Sequence, residues 1–100
     1  LNLDASSFDA TISSGVVLVN FWAEWSAPCS SLLPILDKVA VDVDGIGVIA
    51  KVDVDKEEDL VTRYNVETIP ALFLHKDGKI VQQFSGVQDR SKLVDAIKNA

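Results

Sequence analysis

A chain of 100 residues falls in the size range of one domain, and can bury roughly two-thirds of the surface it exposes when unfolded, enough for a core without covalent staples. Apolar residues make up 48% of it, which excludes a disordered chain, and no apolar run reaches the length of a membrane span. The net charge is −6 and every Lys and Arg lies from Lys38 onward, so neither nucleic-acid phosphates nor an anionic membrane surface is an expected partner.

Cysteine and histidine each occur once, as Cys29 and His75. One cysteine cannot form an internal disulfide, so packing alone must hold the fold, as suits a reducing intracellular compartment. One Cys and one His are too few for a tetrahedral zinc site, and no metal or other cofactor is expected. The opening Leu1-Asn2-Leu3-Asp4 has no basic stretch before an apolar run, so no signal peptide is expected. The chain does not begin with Met, as expected of a processed or trimmed product.

Asp4 to Ser14 reads as a short helix capped by Asp4 or Ser6, with Phe8 and Ile12 on one face and Gly15 ending it. Val16-Val17-Leu18-Val19-Asn20-Phe21 is a short, mostly β-branched apolar run, expected to be a strand buried on both faces. Trp22 to Ser26 follows as a loop. Pro28 suits a first helical turn, where its missing N–H is not needed. Leu32, Leu36, Val39 and Val43 then form a helical apolar stripe, which Pro34 should kink and Gly45 should end. Ile46 to Val54 reads as a second strand. Lys56 to Tyr64 reads as a short helix with Glu57, Glu58 and Asp59 at its positive end. Ala71 to His75 and Ile80 to Phe84 read as strands joined by an Asp77-Gly78 hairpin turn. Asp89 or Ser91 caps a last helix with Leu93, Val94 and Ile97 inward. The order α-β-α-β-α-β-β-α predicts an α/β fold, a mostly parallel sheet covered on both faces with an antiparallel edge.

The segment Phe21-Trp22-Ala23-Glu24-Trp25-Ser26-Ala27-Pro28-Cys29 sits where the buried strand becomes the kinked helix. There it resembles the active-site segment of the thioredoxin family, Trp-Cys-Gly-Pro-Cys, with Ser26 in place of the first cysteine. Asp53, the Ile69-Pro70 pair, the Asp77-Gly78 turn and Gly86 follow in family order, so the resemblance spans essentially the whole chain. It implies a single thioredoxin domain over residues 1–100, with a central mixed β-sheet flanked by helices on both faces.

Disulfide exchange is attack by a thiolate, and a helix N-terminus favours thiolate formation. The resemblance implies that the first cysteine attacks and the second resolves, which gives Ser26 the attacker's position and Cys29 the resolver's. A serine hydroxyl ionises far above neutral pH and needs an adjacent base to act as a nucleophile. His75 lies five residues beyond Pro70 along a strand, on the order of 16 Å away, and is expected to be a polar residue at a strand end. Cys29 is expected to be shielded, and no basic residue follows it, since Ser30 stands where the family often has lysine. Asn20 stands where the family commonly buries a proton-exchanging aspartate, and an amide cannot serve as that acid or base. It is expected to be a hydrogen-bonded core amide. Lys51 resembles a lysine that the family places near that acid.

The resemblance further implies a docking rim of Trp25, Ala27, Pro28, Ile69, Pro70, Gly86 and Val87. Ile69-Pro70 is expected to be a cis-proline loop whose backbone pairs with a substrate strand, although Trp25 taken alone also fits a core position. The implied partners are disulfide-bearing proteins and a thioredoxin reductase-type electron donor. The chain is expected to be a monomer, though one cysteine beside an apolar rim permits a dimer, and to reside in the cytoplasm, with an organelle left open. Two readings of function stand. One is a protein-disulfide reductase made redox-inactive by replacement of its attacking cysteine. The other is a naturally divergent binding or holding module. A monothiol enzyme of the glutaredoxin class fits less well, because such enzymes keep the first cysteine of the pair.

Overall fold

The computed structural model describes residues 2–100. Four helices and four strands alternate: α1 (Ala5–Ile12), β1 (Val16–Trp22), α2 (Ala27–Asp42), β2 (Gly47–Asp53), α3 (Glu58–Arg63), β3 (Ala71–Lys76), β4 (Lys79–Ser85) and α4 (Arg90–Lys98). The sheet order is β2-β1-β3-β4. β1 pairs in parallel with β2 and antiparallel with β3, and β3 pairs antiparallel with β4. The sheet is therefore mixed, with the hairpin at one edge. At the opposite edge Asn2 adds one parallel bridge to Lys51, which sequence reading does not anticipate.

The alternation of side chains along a strand divides the core in two. Val17, Val19 and Phe21 of β1 face one way and pack with Phe8 and Ile12 of α1, Leu60 of α3, and Ala71 and Phe73 of β3. Leu18 faces the other way, with Leu72 and Leu74 of β3, Leu32, Leu36 and Val39 of α2, and Leu93, Val94 and Ile97 of α4. α1 and α3 thus cover one face, and α2 and α4 the other.

Local chemistry sets the boundaries. Asp4, not Ser6, is the N-cap of α1, its carboxylate accepting from the backbone N–H groups of Ser6 and Ser7 at 3.0 Å. Asp89 occupies the N-cap position of α4, but its side chain makes no capping bond. Asp77 and Gly78 both have positive φ, the backbone of the primed two-residue turn that matches strand twist. The same turn is tied to the α1–β1 junction: Gly15 N–H donates to the Asp77 carboxylate at 2.8 Å, and Asp77 N–H donates to the Gly15 carbonyl at 2.9 Å. α2 continues through Pro34, and Arg90 of α4 forks onto Asp42 at its end with bonds of 2.6 and 2.7 Å.

Leu32 and Val41 lie on the same helix, the first fully buried and the second 76% exposed. Leu32→Ala should cost about 2–5 kcal/mol of stability. Val41→Ala should stay within about 0.5 kcal/mol. Urea unfolding of the two variants checks this contrast.

Candidate functional site

Strand register brings the motif residues to one end of the sheet. Trp22, the last residue of β1, lies opposite Asp53 at the end of β2. On the other side of β1, Phe21 pairs with Ala71, the first residue of β3, and Ala71 in turn pairs with Ser85, the last residue of β4. The turn after β1, Pro70 before β3 and Gly86 after β4 are therefore neighbours, although long stretches of chain separate them. Gly86 N–H donates to the Pro70 carbonyl at 2.9 Å, and the Ile69–Pro70 peptide bond is cis. Gly86 has φ +79°, a conformation that disfavours a side chain there whatever the space.

Ser26 is the N-cap of α2. Its backbone is extended, and its Oγ accepts from Cys29 N–H at 3.3 Å while its carbonyl accepts the first helical bond from Ser30 N–H at 3.1 Å. Ala27 and Pro28 occupy the next two positions, where an N–H is not missed. Ser26 is buried, and Cys29, one turn in, is fully buried. The hydroxyl is thus engaged as a helix cap, with no base among its hydrogen-bond partners.

Trp25 is 70% exposed, so the core reading of this residue is corrected: its ring lies at the surface, and its indole N–H donates to the Asp55 carboxylate at 2.9 Å. Asp55 escapes sequence reading. It follows β2 by two residues, and only the parallel pairing of β1 and β2 brings it to Trp25. Ala27, Pro28 and Val87 are exposed, Ile69 and Gly86 are half-buried, and Pro70 is buried.

Asn20 lies on β1 between Lys51 and Leu72, on the face that carries Leu18. It is fully buried, but neither its amide nitrogen nor its oxygen has a hydrogen-bond partner among the described residues. The expected hydrogen-bonded amide is corrected here. That side of the sheet is lined by aliphatic side chains of α2, which offer no donor or acceptor. Lys51, its register partner, holds its Nζ 5.7 Å from the centre of the Trp22 ring.

His75 pairs with Val17 near the far end of β1, which separates it from Ser26 and Cys29. It stands next to last in β3, near the strand end as expected, but it is not exposed there. Its ring is fully buried and bonds the Tyr64 hydroxyl at 2.7 Å. Among the described residues no cluster of three or more His, Cys, Asp or Glu could hold a metal, and no helix is long and apolar enough to cross a membrane.

The sequence profile of the Thioredoxin family matches residues 1–99. A thioredoxin of Staphylococcus epidermidis is 41% identical over 92 residues, spanning 92% of this chain and 88% of its own length. A thioredoxin of Staphylococcus saprophyticus is 41% identical over 93 residues, with 93% and 89% covered. Among solved structures, a point mutant of a thioredoxin from Halobacterium salinarum superimposes with a TM-score of 0.91 at 35% identity, over 99% of this chain and 88% of that one.

Burial of Cys29 should make it slow to react. A bulky maleimide should label the folded protein on the order of a hundredfold or more slower than the urea-unfolded chain, as mass spectrometry of timed samples would record. The unpartnered amide makes Asn20 a stabilisable position. Asn20→Leu should raise stability by about 1–3 kcal/mol, because a desolvated polar group is replaced by an apolar one of similar volume. Urea midpoints of the two proteins test this.

Proposed function

The chain belongs to the Thioredoxin family, and from that premise we propose that it is a thioredoxin-type docking scaffold, one domain over residues 1–100, that binds disulfide-bearing proteins without reducing them. One observation carries this reading: the chain has a single thiol. Reduction of a disulfide to two thiols requires two electrons, which a dithiol supplies by becoming a disulfide itself. A lone thiol can only exchange, forming one mixed disulfide and releasing one thiolate, with no second thiol in the chain to resolve it.

The position that family resemblance gives to the attacker is Ser26. Its hydroxyl ionises far above neutral pH and accepts a bond from Cys29 N–H, with no base among its hydrogen-bond partners in the described residues. Cys29, in the resolving position, is buried behind it. Docking draws on different groups. Trp25, Ala27, Pro28 and Val87 are exposed, and family resemblance groups them with half-buried Ile69 and Gly86 and buried Pro70. The residue before the cis-proline supports pairing with an extended substrate strand. By family resemblance the partners are disulfide-bearing proteins. A thioredoxin reductase-type donor would serve the chain once a cysteine stood at position 26. A reducing cytoplasm suits a protein with one free thiol.

A second reading, divergence of the whole site into a binding or holding module, is favoured by Asn20. A buried amide stands where the family commonly has an acid, and Ser30 stands where it often has lysine. Neither change is required merely to silence the first thiol.

Insulin reduction with dithiothreitol as reductant separates the two readings. The chain should be no faster than dithiothreitol alone, and Ser26→Cys should accelerate the reaction if the frame is otherwise competent. A folded Ser26→Cys variant that stays silent assigns the protein to the second reading. Turnover by the unaltered chain overturns both.

A further inference from the structure

α3 has six residues, too few to persist on its own, and its N-cap, Glu57, makes no side-chain capping bond. It is held by buried Leu60, by Val61 packed against the same core and by Tyr64, the residue that ends it. The Tyr64 ring packs against Phe8, Phe21 and Phe73 with centroids 5.3, 5.4 and 5.0 Å away, and its hydroxyl reaches His75 Nε2 at 2.7 Å. The other ring nitrogen, Nδ1, lies 3.4 Å from the Val17 carbonyl oxygen. A carbonyl only accepts, so Nδ1 carries the proton and Nε2 is the bare acceptor for the Tyr64 hydroxyl. The bond is satisfied by the neutral imidazole in one tautomer.

We infer that the hydrogen bond between buried His75 and half-buried Tyr64 is an acid-sensitive latch, fastening the end of α3 and the loop that leads from it to Pro70 onto the sheet. A proton added at Nε2 would turn that nitrogen from acceptor to donor, and the Tyr64 hydroxyl would have to swing its own proton away and offer its oxygen instead, reversing the bond that now joins them. The new charge would sit buried among Phe8, Phe73 and Tyr64 with no carboxylate paired to it among the described residues, and this uncompensated charge is what would undo the latch. Asp9 of α1 is the nearby acid and is bound to Arg63 of α3 at 2.6 Å. Arg63 itself bears on the ring as a like charge. β1 contributes the Val17 carbonyl, and β4 contributes Ile80, the register partner of His75. Burial, the largest cause, therefore holds the His75 pKa below the usual histidine value, with Arg63 adding to it and backbone bonds from Val17 and Phe73 opposing it.

Beyond Tyr64 the chain leaves the helix through Asn65 at φ +52° and runs to the cis-proline. Tyr64, Asn65, Val66, Ala71 and Phe73 line a groove of about 840 Å³ between α3 and the β3–β4 hairpin. Release of the latch would loosen this wall.

The sign follows from the direction of the shift. The folded ring resists a proton that the unfolded chain accepts near its ordinary value, so the contribution is complete above that value. It is lost as pH falls, until the folded ring also protonates. From about pH 7.5 to 5.5 the unfolding constant of the unaltered protein should rise severalfold, up to about tenfold, and that of His75→Phe less than about twofold. Amide exchange, corrected for its intrinsic pH dependence, should quicken over residues 58–70 ahead of the rest. Equal pH dependence in both proteins, or exchange that quickens uniformly, overturns the latch. Should His75→Phe fail to fold, ring ¹⁵N shifts of the single histidine decide alone. A ring that keeps the Nδ1–H tautomer down to about pH 6 supports the latch, and one that titrates at the ordinary value of about 6.5 overturns it.

Discussion

The position of β1 governs the rest of the molecule. It is bonded to β2 on one side and β3 on the other, and five of its seven residues are buried. A strand with both edges paired and both faces covered has no freedom to slip, since a one-residue shift would exchange the contents of the two cores. Its C-terminal end therefore fixes where the chain emerges at Trp22, and the start of α2 follows within a few residues. The partners of β1 bring Asp53, Ala71 and, through β4, Ser85 to that same end. The loops that carry Pro70 and Gly86 converge there because the strands that bear them cannot be elsewhere.

At this end the substitution of a hydroxyl for a thiol is structurally easy. Serine is among the preferred N-cap residues, and Ser26 caps α2 by accepting from Cys29 N–H. A helix start that would favour a thiolate equally favours a hydroxyl as its cap, because both satisfy unpaired N–H groups. The same cap geometry thus suits either side chain. A serine differs from a cysteine there in chemistry, in that it does not ionise near neutral pH, while Trp25 and Val87 beyond it are exposed.

Two buried polar residues on opposite faces of the sheet illustrate how context sets the cost of burial. His75 is accommodated by the Tyr64 hydroxyl and the Val17 carbonyl, so its neutral form is satisfied, while burial disfavours its charged form. Asn20 faces the aliphatic side of α2 and has neither a donor nor an acceptor within the described residues. A group that is desolvated without compensation lowers stability by more than a surface ion pair such as Arg63–Asp9 contributes.

Periodicity and turn chemistry are enough to read the eight elements from the chain: the apolar stripe of α2, the continuous run of β1 and the Asp77-Gly78 turn are local signals that packing merely confirms. Their ends differ by at most two residues, as at α1, where Ser13 and Ser14 lie outside the helix, and at α3, where Lys56 and Glu57 do. The motif residues Ser26 and Cys29 and the Ile69-Pro70 pair are likewise legible, because their meaning lies in sequence spacing. Hydrogen-bond partners are not. Trp25 meets Asp55, His75 meets Tyr64, Pro70 meets Gly86 and Asn20 meets nothing among the described residues, and each outcome depends on strand register and on which face a residue takes. A sequence states which groups need partners, whereas only the folded chain brings distant segments within the roughly three ångströms over which a hydrogen bond acts.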